Sequence, residues 1–434
     1  MGAALRLPPY RRLLAAYTLN ELAVAIGALA LTVLVYRRTG SALATTGYFL
    51  TTQFAPSMVA PVLVARFDGH PARWVLASLY ACEAALFLAL AALVAHFSLA
   101  PLLALTLLDG ILALSARSIA RAASVDVLAP AGLLREGNAV TNTAFSICFF
   151  AGPAIGGVGA ALGGTRSMLV IVAGGFAAIA VSIGAGSGLP WPSPQRGDLT
   201  LRGAFALARG EELLVRLLAL VGLGVMVFAI AVPVEIVLVR RSLHAGAAGY
   251  GALLSSWGLG AILGSAVYAR WRGLSDRRLI AGSTLAIGVG MLVIAAAPSI
   301  AVAVIGGLIA GAGNGVEAVA MRSAFQERIP ERLVGVLTGL SEAVSQATPG
   351  IGILLGGAAT ALAGPRPAMA LSGTGAVLVA GAAWATLSPG ASVPSDAVLP
   401  AKRAAGRSKP LVLSHNPASP GPGNFGNQTD DPPA

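Results

Sequence analysis

Charge is scarce in this chain. Only 11% of its 434 residues are Asp, Glu, Lys or Arg, against about 25% in an ordinary soluble domain. Apolar residues make up 56%, and the mean hydropathy is +0.79. Too little polar surface exists to cover such a core in water, which excludes a soluble globular protein and a disordered one. Cysteine is nearly absent. Cys82 and Cys148 each lie inside an apolar run, offer no disulfide framework or metal spacing, and read as small buried hydrophobes. Histidine is equally rare. His70, His96, His244 and His415 fall in loops, at span ends and in the tail, so no catalytic triad, metal site or resident cofactor is expected, and no enzyme. Lysine is confined to Lys402 and Lys409, so arginine carries nearly all of the +11 net charge. With so much Ala and Gly, this composition points to a GC-rich bacterial genome. The basic residues are dealt out in small groups rather than gathered on one face, which argues against a nucleic-acid partner. The first apolar run is too long for a cleavable leader and holds Asn20 and Glu21.

Long apolar runs are what the sequence has in excess. A bilayer core of about 30 Å takes roughly 20 helical residues, and backbone in lipid must satisfy its own hydrogen bonds, so each run reads as a helix. Twelve spans are expected, near 13–36, 44–65, 74–96, 99–120, 139–162, 167–188, 213–239, 247–269, 279–297, 300–321, 334–362 and 367–388. Twelve crossings leave both termini on one side. Of the 29 basic residues, 23 fall on that side. Six fall opposite: Arg37, Arg38, Arg166, Arg240, Arg241 and Arg366. This bias puts both termini in the cytoplasm of a multi-pass protein of the bacterial inner membrane. The expected organisation is an N-terminal six-helix bundle over 1–188, a cytoplasmic linker over 189–212 with Pro190, Pro192 and Pro194, and a C-terminal six-helix bundle over 213–388. A tail over 389–434 follows, whose nine prolines and single aromatic cannot build a core.

The two halves echo each other. Pro130 matches Pro330, and Gly156-Gly157 match Gly356-Gly357, all 200 apart. Ala65-Arg66, Gly69 and Arg73 match Ala269-Arg270, Gly273 and Arg277, all 204 apart. A parallel repeat of six spans marks one transporter architecture.

With these features the chain resembles the major facilitator superfamily, in particular its bacterial exporter branch of drug and siderophore (enterobactin-exporter-like) proteins. Four stretches within 9–388 carry the likeness: Tyr10–Ser41, Asp68-Gly-His-Pro-Ala-Arg73, Asn138-Ala through Gly152-Pro-Ala-Ile-Gly-Gly157, and Gln326-Glu-Arg-Ile-Pro330 followed by Gly335. The resemblance implies an all-α fold of two six-helix bundles that works by alternating access. It implies a cytoplasmic gate at Asp68 and Arg73, although the family's leading Gly is Val64 here and the Arg after the Asp is Gly69. It also implies a span-5 hinge at Gly152, Pro153, Gly156 and Gly157, associated with antiporting exporters, and a span-4 arginine at Arg117 tied to proton transfer.

Six acids fall inside the spans: Glu21, Glu83, Asp109, Glu235, Glu317 and Glu342. An ionised group at mid-bilayer costs about 2.5–3.5 kcal/mol on insertion scales, so each must face a cavity, pair with arginine or carry a proton. In the resembled fold spans 1, 4, 7 and 10 line the cavity, and they hold Glu21, Asp109, Glu235 and Glu317. Glu21, Asp109 and Glu317 are the expected proton-coupling acids, with Arg117. Glu235 reads as a headgroup-level residue beside Arg240 and Arg241. Arg117 lies two helical turns from Asp109, about 12 Å along the axis, too far for a direct bond. Asn20, Gln53, Asn142, Trp257, Asn314 and Gln346 are candidates for the substrate path. As a set they suit an amphipathic, mostly apolar solute rather than a sugar. The expectation is a monomeric secondary transporter that exports such a solute at the expense of a proton gradient. Import or facilitated diffusion on the same fold is the alternative, ahead of a membrane enzyme, for which no nucleophile–His cluster is seen, or a receptor, for which every loop is short.

Overall fold

The computed structural model describes residues 3–67, 70–186, 212–271, 274–328, 340–341 and 344–387. The described residues are helical with short connections. In the N-terminal half the helices are α1 (Pro8–Thr39), α2 (Ala42–Phe49, a π-turn Leu50–Phe54, then Ala55–Arg66), α3 (Ala72–Leu93), α4 (Leu99–Leu128), α5 (Leu134–Leu162) and α6 (Gly164–Ala185). In the C-terminal half they are α7 (Glu212–Val237, continued by a π-turn Leu238–Ser242), α8 (Ala247–Trp271), α9 (Asp276–Ala296), α10 (Ile300–Arg328), α11 (Pro349–Ala363) and α12 (Pro365–Thr386). Eleven of these are long and apolar enough to cross a membrane. The exception among the described residues is α11, with 15 residues; much of the first half of its expected range, 334–362, lies outside the described residues. The expected linker and tail also lie outside them, save for Glu212 at the start of α7.

Local chemistry sets the helix ends. Pro8 and Pro9 open α1, where a missing N–H costs nothing. Gly40 closes it at φ 61°. Ser41 caps α2 by accepting from the Ala44 N–H at 3.2 Å. The tight turns into α6 and α12 use Gly164 (φ 77°) and Gly364 (φ 92°). These two keep the same offset as Pro130 and Pro330, so the duplication extends to left-handed turns that a side chain would strain. Pro56 cannot donate to the carbonyl one turn back. The π-turn absorbs the break, and α4 comes close there: a Cβ on Gly110 would stand 2.5 Å from Cγ of Pro56 and 2.9 Å from the Thr52 carbonyl.

Two apolar cores result. One is built mainly from α1 to α6 around Tyr48, Tyr80, Phe87 and Phe176. The other is built mainly from α7 to α12, and takes in Leu29, Val33, Tyr36 and Ala42 from the first half. The repeated glycine pairs join the halves. Gly156 faces the Ile26 backbone of α1, at 3.1 Å from an added Cβ, and Gly356 faces the Ile230 backbone of α7. Gly157 crosses to α8, where an added Cβ would stand 2.8 Å from the Ala247 carbonyl and 3.0 Å from Cα of Gly251. Gly357 crosses to Thr46 of α2. In each pair the first glycine serves its own half and the second serves the other. Small residues permit such backbone approach between membrane helices.

Among the described residues, the close contacts between halves run from mid-helix, where Gly350 meets the Phe54 ring, to the end opposite the termini, where Arg241 donates to the Gly40 carbonyl at 2.8 Å. Among the described residues the halves are thus in contact up to that far end. Gly157→Val is expected to cost about 1–3 kcal/mol by overpacking the α5–α8 seam. Gly282→Ala, where an added Cβ meets nothing within 4 Å, should stay within about 0.5 kcal/mol of the parent. Thermal unfolding of the two purified variants checks the contrast.

Candidate functional site

The membrane acids of the N-terminal half converge. Glu21, three turns into α1, is 6% exposed, and its carboxylate pairs with Arg117 of α4. Nε of Arg117 lies 2.9 Å from Oε1, and a second guanidinium nitrogen donates to Oε2 at 3.1 Å. The partner of Arg117 is therefore on the neighbouring helix. Asp109 on its own helix, excluded by spacing, is not bonded to it. Arg121, one turn further along α4, adds charge near Glu21 and Tyr17.

Glu83 is not on one of the spans that line the cavity in the resembled fold. The structure gives it a place. It is wholly buried, neither carboxylate oxygen has a hydrogen-bond partner, and it lies within electrostatic reach of Asp109 and Arg117. One turn away the Phe87 ring packs on Gly27, so this face of α3 is turned toward α1. Oδ1 of Asp109 is also buried without a partner. Tyr80 feels the charges of Glu83, Glu21 and Arg117 together, which places all four at one junction. Three carboxyl groups and two arginines thus gather where α1, α3 and α4 meet, with only Glu21 in a direct ion pair. No spacing rule could find Glu83, since its relevance comes from which face of α3 meets α1 and α4.

The C-terminal half arranges its acids differently. Glu317 of α10 accepts a hydrogen bond from the Thr284 hydroxyl of α9 at 2.8 Å. It lines a cavity of about 190 Å³ among α7, α9, α10 and α12, together with Asn314. Glu235, near the far end of α7, lies within electrostatic reach of Tyr250. Glu342 lies outside the described residues.

The remaining expected residues scatter. Arg73 donates to the Gly186 carbonyl at the end of α6 (3.1 Å) and lies over the Trp74 ring. Arg277, its counterpart in the second half, lies over Trp384 of α12. Each thus ties the start of a half's third helix to that half's other helices, while Asp68 lies outside the described residues. Gly152 of the span-5 motif packs on Cβ of Ala25 in α1, so with Gly156 and Gly157 it forms a seam. Gln53, inside the π-turn of α2, and Asn142 are exposed, as are Phe145 and Phe149, whose rings stack at 5.9 Å on α5. Asn20 is buried beside Glu21, and Trp257 is buried against the Phe228 ring at 5.1 Å. Gln346 is half-buried.

Removing one partner of a buried pair costs about 3–5 kcal/mol, because the other charge is left bare. Arg117→Ala should therefore destabilise more than the double variant Glu21→Gln/Arg117→Ala. A double-mutant cycle on denaturant unfolding reads the difference; additive effects would contradict the pairing.

The Major Facilitator Superfamily sequence profile matches residues 214–419. No curated relative matches the sequence. Among solved structures, the nucleoside transporter NupG is similar at TM-score 0.68 and 13% identity, over 87% of this chain and 98% of that one. A bacterial homologue of the human lysosomal transporter Spinster, inward-facing and unoccupied, is similar at TM-score 0.69 and 13% identity, over 87% and 97%. A bacterial homologue of the iron transporter ferroportin, inward-facing, is similar at TM-score 0.65 and 15% identity, over 89% and 100%. Residues 214–419 thus carry the superfamily's sequence pattern, and over most of its length the chain shares the fold of these solved structures.

Proposed function

We propose that this chain is a proton-driven secondary transporter that exports an amphipathic small molecule by alternating access. The observation that supports this reading is the junction of α1, α3 and α4, where Glu83 and one carboxylate oxygen of Asp109 lie buried near the Glu21–Arg117 pair. A carboxyl in hydrocarbon without a cation stays neutral or meets water, so these two groups are suited to carrying protons. Interacting acids release protons as a unit. Arg117 reaches both Glu21 and Glu83 electrostatically. Protonation of Glu21 frees Arg117 to turn toward Glu83 and Asp109, and loss of that proton draws it back. Opening and closing of the cleft decides which side of the membrane exchanges the proton. The potential adds about 2.3 kcal/mol per charge per 100 mV.

The arginine bias orients the terminal end toward the cytoplasm of a bacterial inner membrane, so the end where Arg241 meets Gly40 faces outward. The glycine seams of α5–α8 and α2–α11 act as the outer closure, and Asp68 and Arg73 belong to the cytoplasmic gate. The exposed aromatics of α5, with Gln53 and Asn142, suit a drug-like or secondary-metabolite solute. The chain works as a monomer. Import is the second reading, favoured by the similarity of the fold to a nucleoside transporter.

In proteoliposomes, Asp109→Asn, Glu83→Gln and Glu21→Gln should each cut transport driven by a pH gradient at least tenfold while leaving solute counterflow in place. Unchanged gradient-driven transport in all three would refute the coupling role. Accumulation that follows the opposite gradient would establish import.

A further inference from the structure

The two halves fill the same internal space in different ways. In the N-terminal half Tyr80 stacks on Phe176 (6.3 Å) and Phe87 on Phe176 (5.4 Å), all three buried, while Arg117 neutralises Glu21. Shifted by the repeat offsets of 204 and 200, these positions become Thr284 for Tyr80, Ala376 for Phe176 and Glu317 for Arg117. Two large rings are replaced by small side chains, and the cation by an anion. The space so emptied is the cavity of about 190 Å³, and Thr284, Ala376 and Glu317 all line it.

We propose that this cavity binds a small, mostly apolar organic cation, a protonated amine, with Glu317 as its anchor. The carboxylate lies inside the membrane, and its one partner among the described residues is the Thr284 hydroxyl. A hydroxyl hydrogen bond does not balance a charge in hydrocarbon. In the other half an arginine at the same helix position supplies the cation; here it comes from the ligand. The walls fit an organic body. Val221, Val225, Phe228, Ile287 and Met321 are apolar, and Phe228 offers a ring face for cation–π contact. A hard metal ion would need about six oxygen ligands, and the described lining offers three polar side chains, those of Thr284, Asn314 and Glu317. An apolar cavity of about 150 Å³ accepts benzene, so this one admits a ring-sized amine. The lining residues all belong to the C-terminal bundle. The site stands independently of the transport direction and of the proton cluster.

The test is calorimetric titration of the full chain in nanodiscs with benzylamine at pH 7, and with benzyl alcohol as its neutral isostere. One benzylammonium per chain is expected, at least tenfold tighter than the alcohol. Glu317→Gln should remove that preference, Ala376→Phe should remove binding of both, and Leu378→Ala, on the exposed face of α12, should change neither. Because Ala376→Phe also tests folding, Ala376→Cys supplies a second readout: benzylamine should slow modification of the introduced thiol by a cationic methanethiosulfonate at least fivefold. Absence of saturable binding, equal affinity for amine and alcohol, or no protection of the thiol in Ala376→Cys would overturn the site. Because binding needs no gradient, this result is separate from the outcome of the transport assays.

Discussion

The cost of an uncompensated charge in hydrocarbon governs this protein. Every acid that enters the spans must find a cation, a proton or water, and the described ones do so in different ways. Glu21 takes an arginine from the neighbouring helix. Glu83 and Asp109 are set within reach of each other and close to that same pair, so their ionisation depends on its state. Glu317 has a hydroxyl and an open space. A protein free of this constraint could place six acids in its interior without arranging them. Here Glu21 is matched by Arg117, and Glu83 and Asp109 are gathered around that pair.

The duplication supplies a second constraint. Gly156-Gly157 and Gly356-Gly357 play one structural role twice, each pair holding its own half's first helix and touching the opposite half. The same duplication makes the asymmetries informative. Where the backbone repeats and the side chains do not, the difference is chemical: Phe176 and Tyr80 fill the N-terminal half, whereas Ala376 and Thr284 leave the C-terminal half hollow.

Much of this was legible before any coordinates. Apolar runs long enough to cross a bilayer admit only helices in lipid, arginine counts order the loops, and the constant offsets between matching motifs announce two copies of one bundle. The membrane acids were also visible, because any Asp or Glu in such a run is conspicuous. Their partners were not. Arg117 stood near Asp109 in sequence and bonds to Glu21 instead. Glu83 sat on a helix expected at the periphery and faces the cluster. Trp257, a candidate for the solute path, packs against Phe228, and the glycines of the span-5 motif pack against α1 and α8.

The sequence by itself determined the class, the number of apolar helices to within one of the twelve expected, the internal repeat and the inventory of buried charge, because these follow from local hydropathy and from counting. Only the tertiary structure decided which charge meets which, which glycine faces which backbone, and where space is left. Those depend on the rotation of each helix about its axis, which is set by packing between segments far apart in the chain and leaves no periodic trace in any one of them.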